Sequence, residues 1–322
     1  MTAHTEQDDV LRDGAGYCDF SSRTQIEILG ADRAKVLHGL CTNDINRLNS
    51  GEGCEAFLTN IQGRTIGFVY VFCLDKSLVL ETVPGHSDHL IASIDRYVIR
   101  EDVALSDRSA EWGELLLSGE QSASLLGSLA DFELPSESLG TCQGLVAGIE
   151  TEVRRVSYCA PTAFFLRCQA NEAQQLAEAL ESADAAACSP EAVDIGRIEM
   201  GTPLFGQDIT DENLPQEVNR DSQAISFTKG CYLGQETVAR IDALGHVNRK
   251  LVQLRFAGEQ VPAPGSPIEL DGKRLATITS SCISERLGRP LALAYVRRGQ
   301  ERPGNVLASE YGDATVVQLF TG

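Results

Sequence analysis

The chain has 322 residues, 43% hydrophobic and 23% charged, an ordinary balance for a globular protein with a sizeable core and two or three domains. Its formal net charge of −19 repels nucleic-acid phosphates and argues against DNA or RNA as a partner. No apolar run approaches the ~20 residues of a membrane span, so no membrane partner is expected. The polar, acidic start from Met1 to Asp13 has neither the apolar core of a secretory signal nor the Arg-rich face of a mitochondrial presequence. A cytoplasmic protein with a disordered N-terminus over residues 1–15 is the expectation.

Thr24 to Leu29 alternates as a strand, and Ala31 to Leu40 puts Val36, Leu37 and Leu40 on one helical face. Strands 56–59 and 66–72 flank Asn60-Ile61-Gln62-Gly63-Arg64 as a hairpin, with a third strand over 77–82. Residues 86–100 read as a helix, 103–105 and 114–117 as short strands, and 121–129 as a helix. The loop 132–140 then leads to strands at 144–149, 152–158 and 163–168. The Ala/Glu/Gln/Leu-rich stretch 171–187 predicts a helix. A polar segment, 208–223, then leads to a strand over Ile225–Thr228. From Arg249 the pattern becomes short alternating strands, the last over 315–320, separated by Pro264-Gly265, Asp271-Gly272 and Pro303-Gly304. That is the signature of a small antiparallel β-barrel.

Charge is uneven: residues 240–322 hold 11 Lys and Arg against 8 Asp and Glu, leaving −22 on the rest. Ten cysteines occur with no C-x-x-C pair, so neither a zinc ribbon nor a single-chain four-Cys cluster is indicated. Most read as core thiols of a reducing compartment.

One cysteine stands apart. Gly230 lets the backbone turn sharply before Cys231, and Gln235 to Arg240 has helix-forming composition. A thiol at a helix start beside Lys229 is favoured as thiolate, hence as nucleophile or metal ligand. The alternative is a small buried hydrophobe. The string Lys229-Gly230-Cys231-Tyr232-Leu233-Gly234-Gln235-Glu236, with Ala239-Arg240 after it, closely resembles the signature of YgfZ-type folate-binding proteins. These are relatives of the glycine-cleavage T-protein (GcvT, aminomethyltransferase) that assist iron–sulfur cluster assembly or repair. The pattern at Ile26 to Asp32, Leu40 to Ile45 and Leu58 to Arg64 is similar to both groups. So is Arg197-Ile198-Glu199-Met200-Gly201-Thr202-Pro203.

The resemblance implies an α+β, T-protein-like ring. Residues 16–245 would form two αβ lobes of a folate-binding module, and 246–322 a C-terminal antiparallel β-barrel. It implies tetrahydrofolate or another reduced folate in a central channel, with iron–sulfur client or assembly proteins as partners. Cys231 and Lys229 become the catalytic candidates, with Cys231 also the candidate metal ligand. Arg197, Tyr232, Gln235 and Glu236 become folate-binding candidates. An isolated R-x-E can equally be an ion pair on a solvated helix. The alternative function is a folate-dependent aminomethyltransferase or another one-carbon transferase. Against it, Gly67 and Phe68 stand where true aminomethyltransferases carry an acidic pair, and Phe165 where they carry a pterin-holding Glu.

Overall fold

The computed structural model describes residues 3–317, built around three β-sheets. From edge to edge the first sheet runs Ala186–Ala187, Gly16–Asp19, Trp112–Ser118, Ala163–Gln169, Ile149–Val156 and Thr141–Val146. The second runs Gly53–Thr59, Thr65–Cys73, Leu78–Thr82, Thr24–Leu29 and Ala104–Asp107. The two short strands around residue 110 therefore belong to different sheets, and the first sheet brackets the second in sequence. Thr65–Cys73 is apolar on both sides because it is buried on both. Val69 and Val71 pack inside the second lobe, while Tyr70 and Phe72 face the first.

The third sheet coils into the nearly closed antiparallel barrel the turn spacing predicts. Its strand order is Pro267–Leu270, Lys273–Ser284, Arg289–Arg297, Arg249–Phe256, Ala314–Val317 and Val306–Leu307. Along Lys273–Ser284 Ala276 and Ile278 point into the barrel, and a register shift between Ile278 and Ser280 then turns Ser280, Cys282 and Ser284 to the opposite face, against the helix Pro190–Met200. The expected strand 315–320 is seen over Ala314–Val317, and residues 318–320 lie outside the described residues.

Several expectations change, and the strand expected over 144–149 is interrupted by the turn Ala147-Gly148 that joins Thr141–Val146 to Ile149–Val156. Part of the N-terminal stretch expected to be disordered is the helix Ala3–Asp13, which buries Leu11 and packs on the helix Pro190–Met200. A polar composition hid it, because the helix is held by tertiary contact rather than by propensity. The helix expected over 171–187 covers Ala173–Ser182. Asp184 then turns at a φ of +71°, and Ala186–Ala187 pairs in parallel with Gly16 and Tyr17. The helix expected over 86–100 is Ser87–Asp95. Finally, Ile225–Thr228 is not a strand: Ile225 is buried in an irregular segment and the Ser226 N–H bonds the Thr42 carbonyl.

Between the lobes runs a fully buried ion ladder. Arg23 donates to Glu81 (2.6 Å), Arg154 to Glu81 (2.6 Å) and Glu152 (2.6 Å), and Arg167 to Glu152, while Glu114 lies 3.4 Å from Arg154. Three guanidiniums thus face three carboxyl groups. Arg154 stacks 4.3 Å from the Phe72 ring and Arg167 3.7 Å from Trp112, so their flat faces are also covered. Burial, reinforced by Glu81, pushes the Glu114 carboxyl well above its ordinary range.

Candidate functional site

Pro190–Met200 opens with Ser189, whose hydroxyl accepts from the Ala192 N–H (3.3 Å), and closes at Gly201 with φ +74°. Its Arg197 is 1% exposed. The guanidinium donates to Asp194 (2.6 Å), Asp208 (2.9 Å), the Thr202 carbonyl (3.2 Å) and Ser280 of the barrel (3.0 Å). Arg197 thus ties helix, connecting segment and barrel together from inside.

The segment around Cys231 is held at both flanks. Lys229 Nζ donates to the carbonyls of His38 (2.6 Å), Cys41 (2.7 Å) and Asn43 (2.7 Å), where the helix Arg33–His38 ends and its carbonyls lack intrahelical partners. Burial lowers its pKa, and the Tyr232 ring covers it at 4.9 Å. Two residues past the cysteine, the Leu233 N–H bonds the Gly39 carbonyl (2.9 Å) and its own carbonyl accepts from Thr59 Oγ1 (2.6 Å). Gly234 then meets the tip of the hairpin. A Cβ there would stand 2.4 Å from the Asn60 carbonyl oxygen, and φ is +81°, so only glycine fits. Gln235 accepts from the Tyr232 N–H (3.2 Å), and Thr237 donates to the Gln62 carbonyl (2.9 Å). Glu236 is exposed in the first turn of Gln235–Leu244. The two sequence signatures, at 58–64 and 229–236, therefore dock on each other.

Cys231 itself is exposed, while the other nine cysteines are buried or half-buried. Burial pushes those nine thiols above their ordinary pKa, to about 11 for Cys18 and Cys41 and about 12 for Cys159 and Cys188.

A cavity of about 250 Å³ lies between the lobes. Gly53, Cys54, Glu55 and Tyr70 line it from the second sheet, Ser138, Leu139 and Ser157 from the first lobe, and Met200, Thr202, Arg220 and Gln223 from the connecting segment. Its polar centre is the Glu55 carboxylate, gripped by both Arg220 Nε (2.5 Å) and Nη2. None of Arg197, Lys229, Cys231, Tyr232, Gln235 and Glu236 lines the cavity. Arg197 supports its Met200–Thr202 wall, and one relay joins the cavity to the cysteine segment. Asn43 donates to the carbonyls of Glu55 (2.8 Å) and Gln223 (2.9 Å) and accepts from Lys229.

The positions without carboxylates are closed to ligand. A Cβ on Gly67 would lie 2.7 Å from Leu90, Phe68 packs on Phe57 (5.0 Å between ring centroids), and Phe165 sits in an aromatic cluster with Phe20, Tyr70 and Tyr158. Glu55 and Arg220 escaped the sequence reading. The available signal was a lone carboxylate inside the apolar run Cys54-Glu55-Ala56-Phe57-Leu58, where an acid needs a buried partner.

Two αβ lobes meeting at a ligand-sized cavity, with a barrel bound to the connecting helix, define a glycine-cleavage T-protein-type fold. The GCVT N-terminal domain family matches residues 2–229, and the glycine cleavage T-protein C-terminal barrel domain matches 249–319. The chain belongs to the glycine-cleavage T-protein family. The aminomethyltransferase of Rubrobacter xylanophilus is 28% identical over 305 residues, covering 94% of this chain and 81% of that protein. That of Herpetosiphon aurantiacus is 28% identical over 297 residues, covering 91% and 81%. Among solved structures, the glycine cleavage system aminomethyltransferase T from Bartonella henselae superposes with a TM-score of 0.86. It is 19% identical and covers 98% of this chain and 89% of its own.

Proposed function

We propose that the chain binds a reduced folate, tetrahydrofolate being the family's ligand, with the pterin ring in the inter-lobe cavity, and that its reaction class is folate-dependent aminomethyl transfer. The observation that supports this is the Glu55–Arg220 pair lining a cavity of about 250 Å³. A pterin edge offers adjacent N–H donors beside a carbonyl. Glu55 keeps lone pairs for the donors, and Arg220 supplies N–H groups to an acceptor. The cavity is smaller than the ~300–1,000 Å³ usual for drug-sized ligands, so it suits a bicyclic ring with the anionic tail outside. This narrows the folate-sized central channel that the resemblance implies. Glu55 takes the acid–base role that Gly67, Phe68 and Phe165 cannot fill, and Arg197 acts by holding the cavity wall. Titration calorimetry with tetrahydrofolate should give saturable binding, weakened about tenfold or more in Arg220→Ala. No heat at millimolar ligand would end the proposal. With the aminomethyl-lipoyl carrier as co-substrate, Glu55→Gln should slow methylene-folate formation about a hundredfold or more.

A second reading has its own observation: of the ten cysteines, Cys231 alone is exposed. In that reading the folate-bound protein serves iron–sulfur cluster assembly or repair through the Cys231 thiol, with Lys229, Tyr232 and Gln235 holding the thiol segment and the exposed Glu236 beside it. Cys231→Ser should then fold and bind folate normally yet fail to restore iron–sulfur enzyme activity in a deletion strain. Folate binding without turnover favours this reading; turnover that survives Cys231→Ser removes it.

A further inference from the structure

The ion ladder between the lobes runs out at Arg167, on one face of the first sheet. The antiparallel registers Gln143↔Glu152, Glu152↔Arg167 and Arg167↔Glu114 set these four side by side, and alternation adds Leu145, Glu150 and Trp112 to the same face. All but Glu114 line a cavity of about 590 Å³, and none of them lines the cavity between the lobes. Arg167 is the group there that points to a ligand. Its side chain is 9% exposed, Glu152 holds Nη2, Trp112 covers the flat face, and Nη1 has no hydrogen-bond partner. A buried cationic N–H without an acceptor is costly, so the site asks for an acceptor at that nitrogen. Burial first, and then Arg154, push the Arg167 pKa down to about 10 against the pull of Glu152 and Glu114. Glu114, opposite it in register, is itself pushed toward its neutral form. The buried end of the ladder is therefore short of negative charge.

A second feature of the cavity decides the ligand class. Its lining also carries the exposed carboxylates of Glu150 and Asp131, the latter accepting from the Leu145 N–H at 2.8 Å. A simple anion drawn to Arg167 would be repelled by both. Glu150 is the diagonal neighbour of Arg167 across the Glu152↔Arg167 pair, and residues so placed stand about 7–8 Å apart. A molecule with a carboxylate and an ammonium on one carbon bridges such a gap with one charged hydrogen bond at each end. Leu145, 40% exposed, and Trp112 give apolar surface beside the two charges. We propose that this cavity is a second ligand site, one that takes a free α-amino acid with an apolar side chain. The carboxylate meets Arg167 Nη1, the ammonium meets Glu150, and the side chain lies on Leu145 and Trp112. Gln143, donating to Glu152 at 2.6 Å, holds the carboxylate that already grips Arg167 in place. The volume falls in the ~300–1,000 Å³ range of small-molecule sites. The inference does not rest on the folate reading, because the two cavities share no lining residue.

Trp112 is the one tryptophan of the chain, so its emission reports on this site alone. L-Leucine titrated into the full-length protein should change that emission saturably, and calorimetry should give one site per chain. Glu150 is exposed, so Glu150→Gln should keep the native circular dichroism while weakening leucine about tenfold or more. Leucinamide lacks the carboxylate and isocaproate lacks the ammonium, and each should bind about tenfold or more weaker than leucine. Either analogue binding as tightly as leucine, or an unchanged leucine titration in Glu150→Gln, overturns the proposal. So does the absence of any response to millimolar leucine, valine or methionine. Saturating tetrahydrofolate should leave the calorimetric leucine titration in place, and competition between the two would overturn the second site. Absent folate binding with an intact leucine response overturns only the function proposed above.

Discussion

Single side chains in this protein are used more as ties than as ligands, and Arg197 is the clearest case. A folate anchor would keep part of its guanidinium free, whereas Arg197 spends its donors on Asp194, Thr202, Asp208 and Ser280. Arg197→Ala leaves Asp208 buried without its cation, although Leu204 N–H and the Thr279 and Ser280 hydroxyls still bond it. Removing one partner of a buried ion pair typically costs about 3–5 kcal/mol. Urea unfolding of Arg197→Ala should show a loss of that order. An unchanged midpoint with weakened folate binding would instead make Arg197 a ligand. Lys229 belongs to the same class. Its three carbonyl bonds tie the last helical residue His38 to Cys41 and Asn43 of the turn beyond it, and sequence alone showed the charge beside Cys231 but not where its hydrogen bonds go.

At the level of elements, the N-terminal helix carries the most distinctive pH signature. Asp8 is 3% exposed, and its pKa is raised to about 6, first by burial and then by Glu199, with Asp9 and Glu285 adding and Arg12 opposing. A raised folded pKa means the native state holds the proton longer than the unfolded chain. Asp8 therefore costs no stability below the ordinary carboxyl range, and its penalty grows as pH rises from about 4 to about 6. Asp8→Asn should gain about 1–2 kcal/mol over wild type at pH 7, the gain vanishing near pH 4, when stability is followed by denaturant titration at each pH. A pH-independent difference would place the charge elsewhere. The same helix marks the limit of sequence reading. Strands whose buried residues alternate, such as Lys273–Ser284, are visible in sequence, and capped helices such as Pro190–Met200 announce both ends. The helix Ala3–Asp13 has no comparable apolar stripe, and Ile225–Thr228 has strand-like residues whose backbone is claimed by Thr42. Site residues divided likewise. The motif at 229–236 was legible because its glycines and lysine answer local needs. Glu55 and Arg220 were not, because their partnership spans 165 positions of sequence.

Over the whole molecule, the lobes are joined by the charged ladder rather than by apolar contact alone. Arg154→Met removes the cation shared by Glu81, Glu114 and Glu152 while keeping much of the volume over Phe72. Three carboxylates then compete for Arg23 and Arg167, and a loss of about 3–5 kcal/mol is expected at pH 7. Because carboxylate protonation relieves the repulsion, the deficit should shrink toward pH 4, as unfolding midpoints measured at both pH values would register. An equal deficit at both would attribute the loss to packing. The bracketing of one sheet by another bears on a different matter, the order in which the chain leaves the ribosome. The second sheet is complete once residue 107 has emerged, but the first pairs Gly16–Asp19 with Trp112–Ser118 and closes its edge only at Ala186–Ala187. During synthesis the earliest strand waits unpaired while the inner lobe closes, and the inner lobe's Tyr70 and Phe72 stay uncovered until the outer strands arrive. Nascent chains halted between those points present an aromatic face to chaperones, and chains released there are the ones expected to aggregate.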